Sequence, residues 1–244
     1  MENPWKKIKG PNFYTIEDKK TIEAFNAKQK NDEFKIDLEL FPEPYMGDPK
    51  ANITLLFTNP GKKGNEKDNY KKFKRFEDAL LKNLTHDNEE YPYYYLHEDL
   101  KESDGGKWLR TRMKDLIDGK EENAKLISES IFTLQLHPFH SKKFKDFNFK
   151  NPLSVDAYTM SLFKKAVEKA KNGGGIIICI RSYDDWNRRF KREFDTNEDL
   201  QEYLGNNFIK LKTPNTDKTP RTPYFKESFF KVADFILFKK MLFK

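Results

Sequence analysis

Four short apolar stretches, each cut off by a polar turn, constrain this chain more than any other feature. They are Ile53-Thr-Leu-Leu-Phe-Thr58, Ser130-Ile-Phe-Thr-Leu-Gln-Leu136, Ile176-Ile-Ile-Cys-Ile180 and Phe208-Ile-Lys-Leu-Lys212. A continuous apolar run of this length reads as a strand buried on both faces, the appearance of a parallel sheet. The third run is the plainest. It is rich in β-branched residues, and Gly173-Gly-Gly175 stops the helix before it.

Helical patterning fills the intervals. Thr15 to Lys30, Phe73 to Asn83, Gly106 to Ile117, Ser154 to Asn172 and Phe225 to Phe243 read as helices, with Ser154 as an N-cap and Asp156 in its first turn. Arg181-Ser-Tyr-Asp-Asp-Trp186 opens another, and Thr196 to Leu204 reads as a short one. Phe41 to Pro49, with three prolines, reads as irregular. Thr85 to Ser103, containing Tyr91-Pro-Tyr-Tyr-Tyr95, reads as a long loop. Strands alternating with helices predict an α/β fold, a three-layer αβα arrangement around a central four-stranded parallel sheet. The expected organisation is one α/β domain over residues 1–244. It comprises a helical N-terminal extension (1–40), a core (41–225) with an insertion at 85–103, and a C-terminal helix (226–244).

Composition narrows the function classes. Only 36% of the 244 residues are hydrophobic, yet 22 are Phe and 11 Tyr, so rings must supply much of the core. The single cysteine, Cys179, excludes an intramolecular disulfide framework, a Cys-rich zinc site and a four-Cys cluster. Its place among isoleucines makes it a packing residue. No run nears the roughly 18 apolar residues of a membrane span, and no apolar stretch follows Lys6, Lys7 and Lys9 as a secretory signal requires. The expected location is therefore cytoplasmic, with no membrane partner. The net charge of +7 permits a polyanionic partner without demanding one.

In open parallel sheets, ligands bind beyond the carboxyl ends of the strands. Here those ends carry Asn59-Pro60-Gly61, Gln135 to His140, Arg181-Ser182 and Pro214-Asn215-Thr216, and the four turns should form one rim. Gly61-Lys-Lys-Gly64 lacks the length and ending of a phosphate-binding loop, and Gly173-Gly-Gly175 precedes its strand, the wrong order for a dinucleotide fingerprint. His137 and His140 flank Pro138 with no acidic residue at ligand spacing, so they read as hydrogen-bonding histidines. No cofactor and no metal are expected. Arg181 to Phe190 and Lys142 to Phe149 interleave rings with bases. That pattern fits contact with single-stranded nucleic acid, and equally an amphipathic segment with its rings turned inward.

The block Pro42 to Gly61, ending in Asn59-Pro-Gly61, resembles the first motif of the uracil-DNA glycosylase superfamily, in its Asn-Pro-Gly branches. Ile131 to Ser141 looks like that superfamily's second strand and its base-recognising turn. Pro214-Asn215-Thr216 with Thr219-Pro-Arg-Thr-Pro223 looks like its late motif. The resemblance implies hydrolysis of the N-glycosidic bond of a flipped-out damaged or deaminated base in DNA. It assigns Asn59 to positioning the attacking water and Asn215, with it, to the catalytic turn. Phe57, or a Tyr of the Tyr91–Tyr95 loop in its place, falls at the base with Gln135 and His137, and Lys62, Lys63 and Arg221 fall at the nucleic-acid backbone, where its strand-end position also points Arg181. The chain departs from the pattern where Phe57 replaces a leading Gly, where Gln135 is a methylene longer than Asn, and where the late turn lacks its His-Pro-Ser form. Two alternatives remain open: an inactive nucleic-acid- or nucleotide-binding module on the same fold, and a small-molecule hydrolase using the same strand-end pocket.

Overall fold

The computed structural model describes residues 1–7, 14–64, 66–87, 90–146, 152–194, 198, 202–204, 208–211, 225 and 227–243. Its centre is a sheet of five strands. They are β1 (Tyr45–Met46), β2 (Ile53–Phe57), β3 (Ile131–Gln135), β4 (Ile176–Cys179) and β5 (Ile209–Lys210), in spatial order β1-β3-β2-β4-β5. The four strands from β2 to β5 are parallel, and every residue of β2, β3 and β4 is buried. The sheet is mixed rather than wholly parallel. Tyr45 and Met46 pair antiparallel with Leu134 and Thr133, inside the segment that its three prolines mark as irregular. Pro44 contributes only its carbonyl, which accepts from Gln135 N at 2.9 Å, so a proline costs nothing there. Gly47 ends β1 at φ 96°, where a Cβ would run into the carbonyl of Ile131.

The α-helices with described bounds are α1 (Ile16–Ala27), α2 (Glu66–Lys72), α3 (Phe76–Thr85), α4 (Asp104–Arg112), α5 (Lys114–Ile117), α6 (Glu121–Ser130), α7 (Asp156–Lys171), α8 (Tyr183–Glu193) and α9 (Val232–Leu242). The chain leaves β2 for β3 on one side and returns across β2 to β4 on the other. Right-handed crossovers therefore set α2 to α6 on one face and α7 and α8 on the opposite face. Packing agrees. Phe163 of α7 meets Trp186 and Phe190 of α8 at 5.0 and 5.1 Å between ring centres, while Tyr93 reaches Thr133 of β3 with its hydroxyl at 3.0 Å.

Three readings of the sequence are corrected. The Tyr-rich stretch is core, not a bare loop. It forms 3-10 turns at Tyr94–Leu96 and Glu98–Leu100, and buries Tyr93, Tyr94, Tyr95, Leu96 and Leu100. Gly106 to Ile117 is two helices, α4 and α5, and α6 follows where no helix was expected. Ser154 does not cap α7. Its hydroxyl donates to Asp18 of α1 at 2.5 Å, and Asp156 instead accepts from Leu153 N at 2.9 Å. Most of the expected helix from Thr196 to Leu204 lies outside the described residues.

Candidate functional site

The carboxyl ends of β2 and β3 are tied into one unit by backbone. Leu136 N donates to Phe57 O at 3.1 Å, His137 N to Thr58 O at 2.8 Å and Ser141 N to Pro60 O at 3.4 Å, so the ladder continues past both strands. Helix α8 holds the same ends from one face: Trp186 Nε1 donates to Phe57 O at 2.9 Å and Arg189 Nη1 to Leu136 O at 2.5 Å. Arg189 is itself buried against Asp156, 2.7 Å away. The sequence had left open whether the ring-and-base pattern of Arg181 to Phe190 meets nucleic acid. Trp186, Arg189 and Phe190 face inward.

Asn59 is half-buried on this frame. Its Nδ2 donates to Pro60 O at 2.9 Å and to Ser141 Oγ at 2.8 Å, and Ser141 Oγ donates onward to Lys143 O at 2.9 Å. With the amide nitrogen held, Oδ1 is turned away from those partners, and among the described residues it accepts no hydrogen bond. Phe57 and Gln135 are register partners on neighbouring parallel strands, so they share one face of the sheet. Both are buried. Phe57 packs edge-on against Trp108 of α4 at 6.0 Å, and the Oε1 of Gln135 is enclosed with no hydrogen-bond partner among the described residues.

His137 is buried with Nε2 3.0 Å from Asp146 Oδ1. Lys62 is paired with Asp37 at 2.6 Å, and Lys63 Nζ lies 3.9 Å from Asp104. Arg181 is exposed at the end of β4, where Ser182 turns the chain at φ 54°. Asn215 and Arg221, with the late motif that carries them, lie outside the described residues. Cys179 is the packing residue its setting implies: burial pushes its thiol up to about 12, and Sγ donates to Arg181 O at 3.1 Å.

Sequence reasoning missed one group beneath this site. Glu43 is buried and accepts from the Tyr95 hydroxyl at 2.6 Å, and burial raises its carboxyl above the usual carboxylate range. His140, also buried, reaches Gly61 O through Nδ1 at 2.7 Å. Glu43 stands inside the quoted motif block, but nothing in its spacing announces a partner so distant in sequence. An open depression lined by Glu2, Asn3, Pro4, Lys7, Thr15 and Ser154 includes none of these residues. Among the described residues no group of three His, Cys, Asp or Glu converges as a metal site, and no helix is long and apolar enough to cross a membrane.

Comparison of the chain with protein families, with curated proteins and with solved structures returns no match. The geometry is the remaining guide to function.

Proposed function

We propose that the strand-end rim is a nucleobase site, and that the chain hydrolyses the N-glycosidic bond of a base flipped out of DNA, in the manner of uracil-DNA glycosylases. The observation that carries this reading is Asn59. It follows the first parallel strand, its amide nitrogen is anchored to Pro60 and Ser141, and its Oδ1 is left to accept from a water. An oriented acceptor at that position suits a water aimed at a sugar carbon. The parallel strands in order β3-β2-β4-β5 support a crevice at the point where the chain reverses direction across β2.

Gln135 supports the base end of the reading. A buried amide oxygen without a partner is costly, roughly 1–3 kcal/mol, and a ligand N–H would satisfy it. Its neighbour Phe57 offers a ring on the same sheet face. Both are covered by protein, so a base reaches them only as the Trp108 side moves.

The test is base release from uracil-containing single-stranded and duplex DNA. Wild-type protein should release the base, and Asn59→Ala should slow release by about 10²–10⁴-fold while DNA binding persists. Binding without release from wild type would leave an inactive binding module. Failure to bind either DNA would remove the nucleic-acid reading and leave a small-molecule hydrolase.

A further inference from the structure

A buried acid, a histidine and a turn carbonyl form a line beneath the Asn59 turn. Glu43 is 5% exposed, and its Oε1 lies 2.6 Å from the Tyr95 hydroxyl and 3.7 Å from His140 Nε2. His140 is 4% exposed, and its Nδ1 lies 2.7 Å from Gly61 O. A carbonyl has no proton to give, so Nδ1 carries the hydrogen of that contact. Nε2, 3.7 Å from Glu43 Oε1 and without a hydrogen-bond partner among the described residues, then faces it lone pair to lone pair unless Glu43 is protonated. A buried carboxylate facing a lone pair is the arrangement that proteins avoid.

Burial favours a proton on Glu43, against the hydroxyls of Tyr94 and Tyr95, which stabilise the carboxylate. Tyr94 and Tyr95 face Glu43 from their 3-10 turn, and Tyr70 and Glu66 face it from α2. The tyrosines are held neutral by burial, and Glu66 adds a second negative charge. His140 is also fixed from its backbone. Its carbonyl accepts from Asp37 N at 2.9 Å, beside the Lys62–Asp37 ion pair.

We propose that Glu43 and His140 are positioning residues, which hold the Asn59-Pro60-Gly61 turn in its working geometry as long as Glu43 keeps its proton. The proposal rests on the reading of Asn59 as the working end of the site. The coupling is short: His140 grips Gly61, and the next residue, Ser141, grips both Asn59 and Pro60. As pH rises and Glu43 loses its proton, its carboxylate opposes the Nε2 lone pair of His140, the Gly61 contact loosens and Asn59 loses its orientation.

The experiment follows the Asn59 side-chain amide by ¹H–¹⁵N NMR from about pH 5 to about pH 9 in wild type, Glu43→Gln and Tyr95→Phe. In wild type the resonances should move and broaden as pH rises. Glu43→Gln can accept from Tyr95 through its oxygen and donate to His140 through its nitrogen, so its response should be flat. Tyr95→Phe removes a hydroxyl that stabilises the carboxylate, so its transition should move to higher pH. A wild-type amide without pH response, or the same midpoint in Glu43→Gln, would overturn the proposal. Base release is a separate readout. Glu43→Ala should lower kcat by about 10²-fold with KM within about twofold, and Glu43→Gln should restore it. If no variant releases a base yet the amide titrates as described, the glycosylase reading falls and the positioning role stands.

Discussion

His86 ends α3 in the left-handed region at φ 61°, stacked on Tyr45 at 4.4 Å, with its Nε2 3.0 Å from the Tyr158 hydroxyl. Burial lowers its pKa from 6.5 to about 4. The unfolded chain therefore binds more protons between those values, and stability present above about pH 6.5 is lost as pH falls toward 4. Glu43 acts in the opposite sense. Its folded pKa is raised above 4.5, so the stability it contributes is complete below that value and is lost as pH rises through the folded one. Urea unfolding across pH should thus show an acid limb, with stability falling as pH drops from about 6.5 toward 4, that the Glu43 contribution partly offsets where the two windows overlap. His86→Asn tolerates the left-handed backbone and removes the titration, so it should flatten the acid limb, worth about 1–3 kcal/mol after allowing for partial exposure. An unchanged acid limb in that variant would assign the effect to another group.

Helix α8 gives the element scale its clearest case. Trp186, Arg189 and Phe190 lie at i, i+3 and i+4, the spacing of one helix face, and all three are buried. The charges around them made the segment resemble a nucleic-acid contact. Its inward stripe was legible in the spacing, but the destination of the guanidinium was not, since Leu136 and Asp156 come from other elements. The same division runs through the fold. Strands β2, β3 and β4 were readable because both faces are buried and no partner need be known. Strand β1 was not, because its two residues become a strand only against Leu134 and Thr133. The Tyr insertion has no period to find, and its order comes from ring packing such as Tyr94 on Tyr95 at 4.4 Å. In the site, Asn59 and Gln135 announced themselves by standing at strand ends, whereas Glu43 and His140 matter only through tertiary contact. Arg189→Met should therefore destabilise the protein by about 3–5 kcal/mol in urea unfolding, since it strands the buried Asp156. Adding Asp156→Asn should recover part of the loss. A cost under about 1 kcal/mol for the single variant would mean that the pair is solvated rather than buried.

At the scale of the whole molecule, the charge of +7 is a poor guide to where a polyanion would bind. Much of the basic surface is already answered by carboxylates: Lys62 by Asp37, Lys67 by Glu39, Arg75 by Asp99, and Lys142 and Lys143 by Glu33. Exposed pairs of this kind are weak, so a phosphate could take a lysine from its partner, but the exchange releases little. If DNA binds at the rim, the contacts come from a few residues near the strand ends, Lys62, Lys63 and Arg181 among those described. Each phosphate neutralised on a single strand contributes about −0.7 to the slope of log K against log salt. About three such contacts predict a slope near −2 for a short uracil-containing single strand, measured by fluorescence anisotropy over a salt series. Arg181→Glu should make the slope shallower by about 0.7, and changing Lys142 and Lys143 together should leave it unaltered. A slope near −5 in wild type would instead require a broad electrostatic surface of about seven contacts. The strand-end rim would then be only part of the binding face, and Asn59 would have to be judged by base release alone.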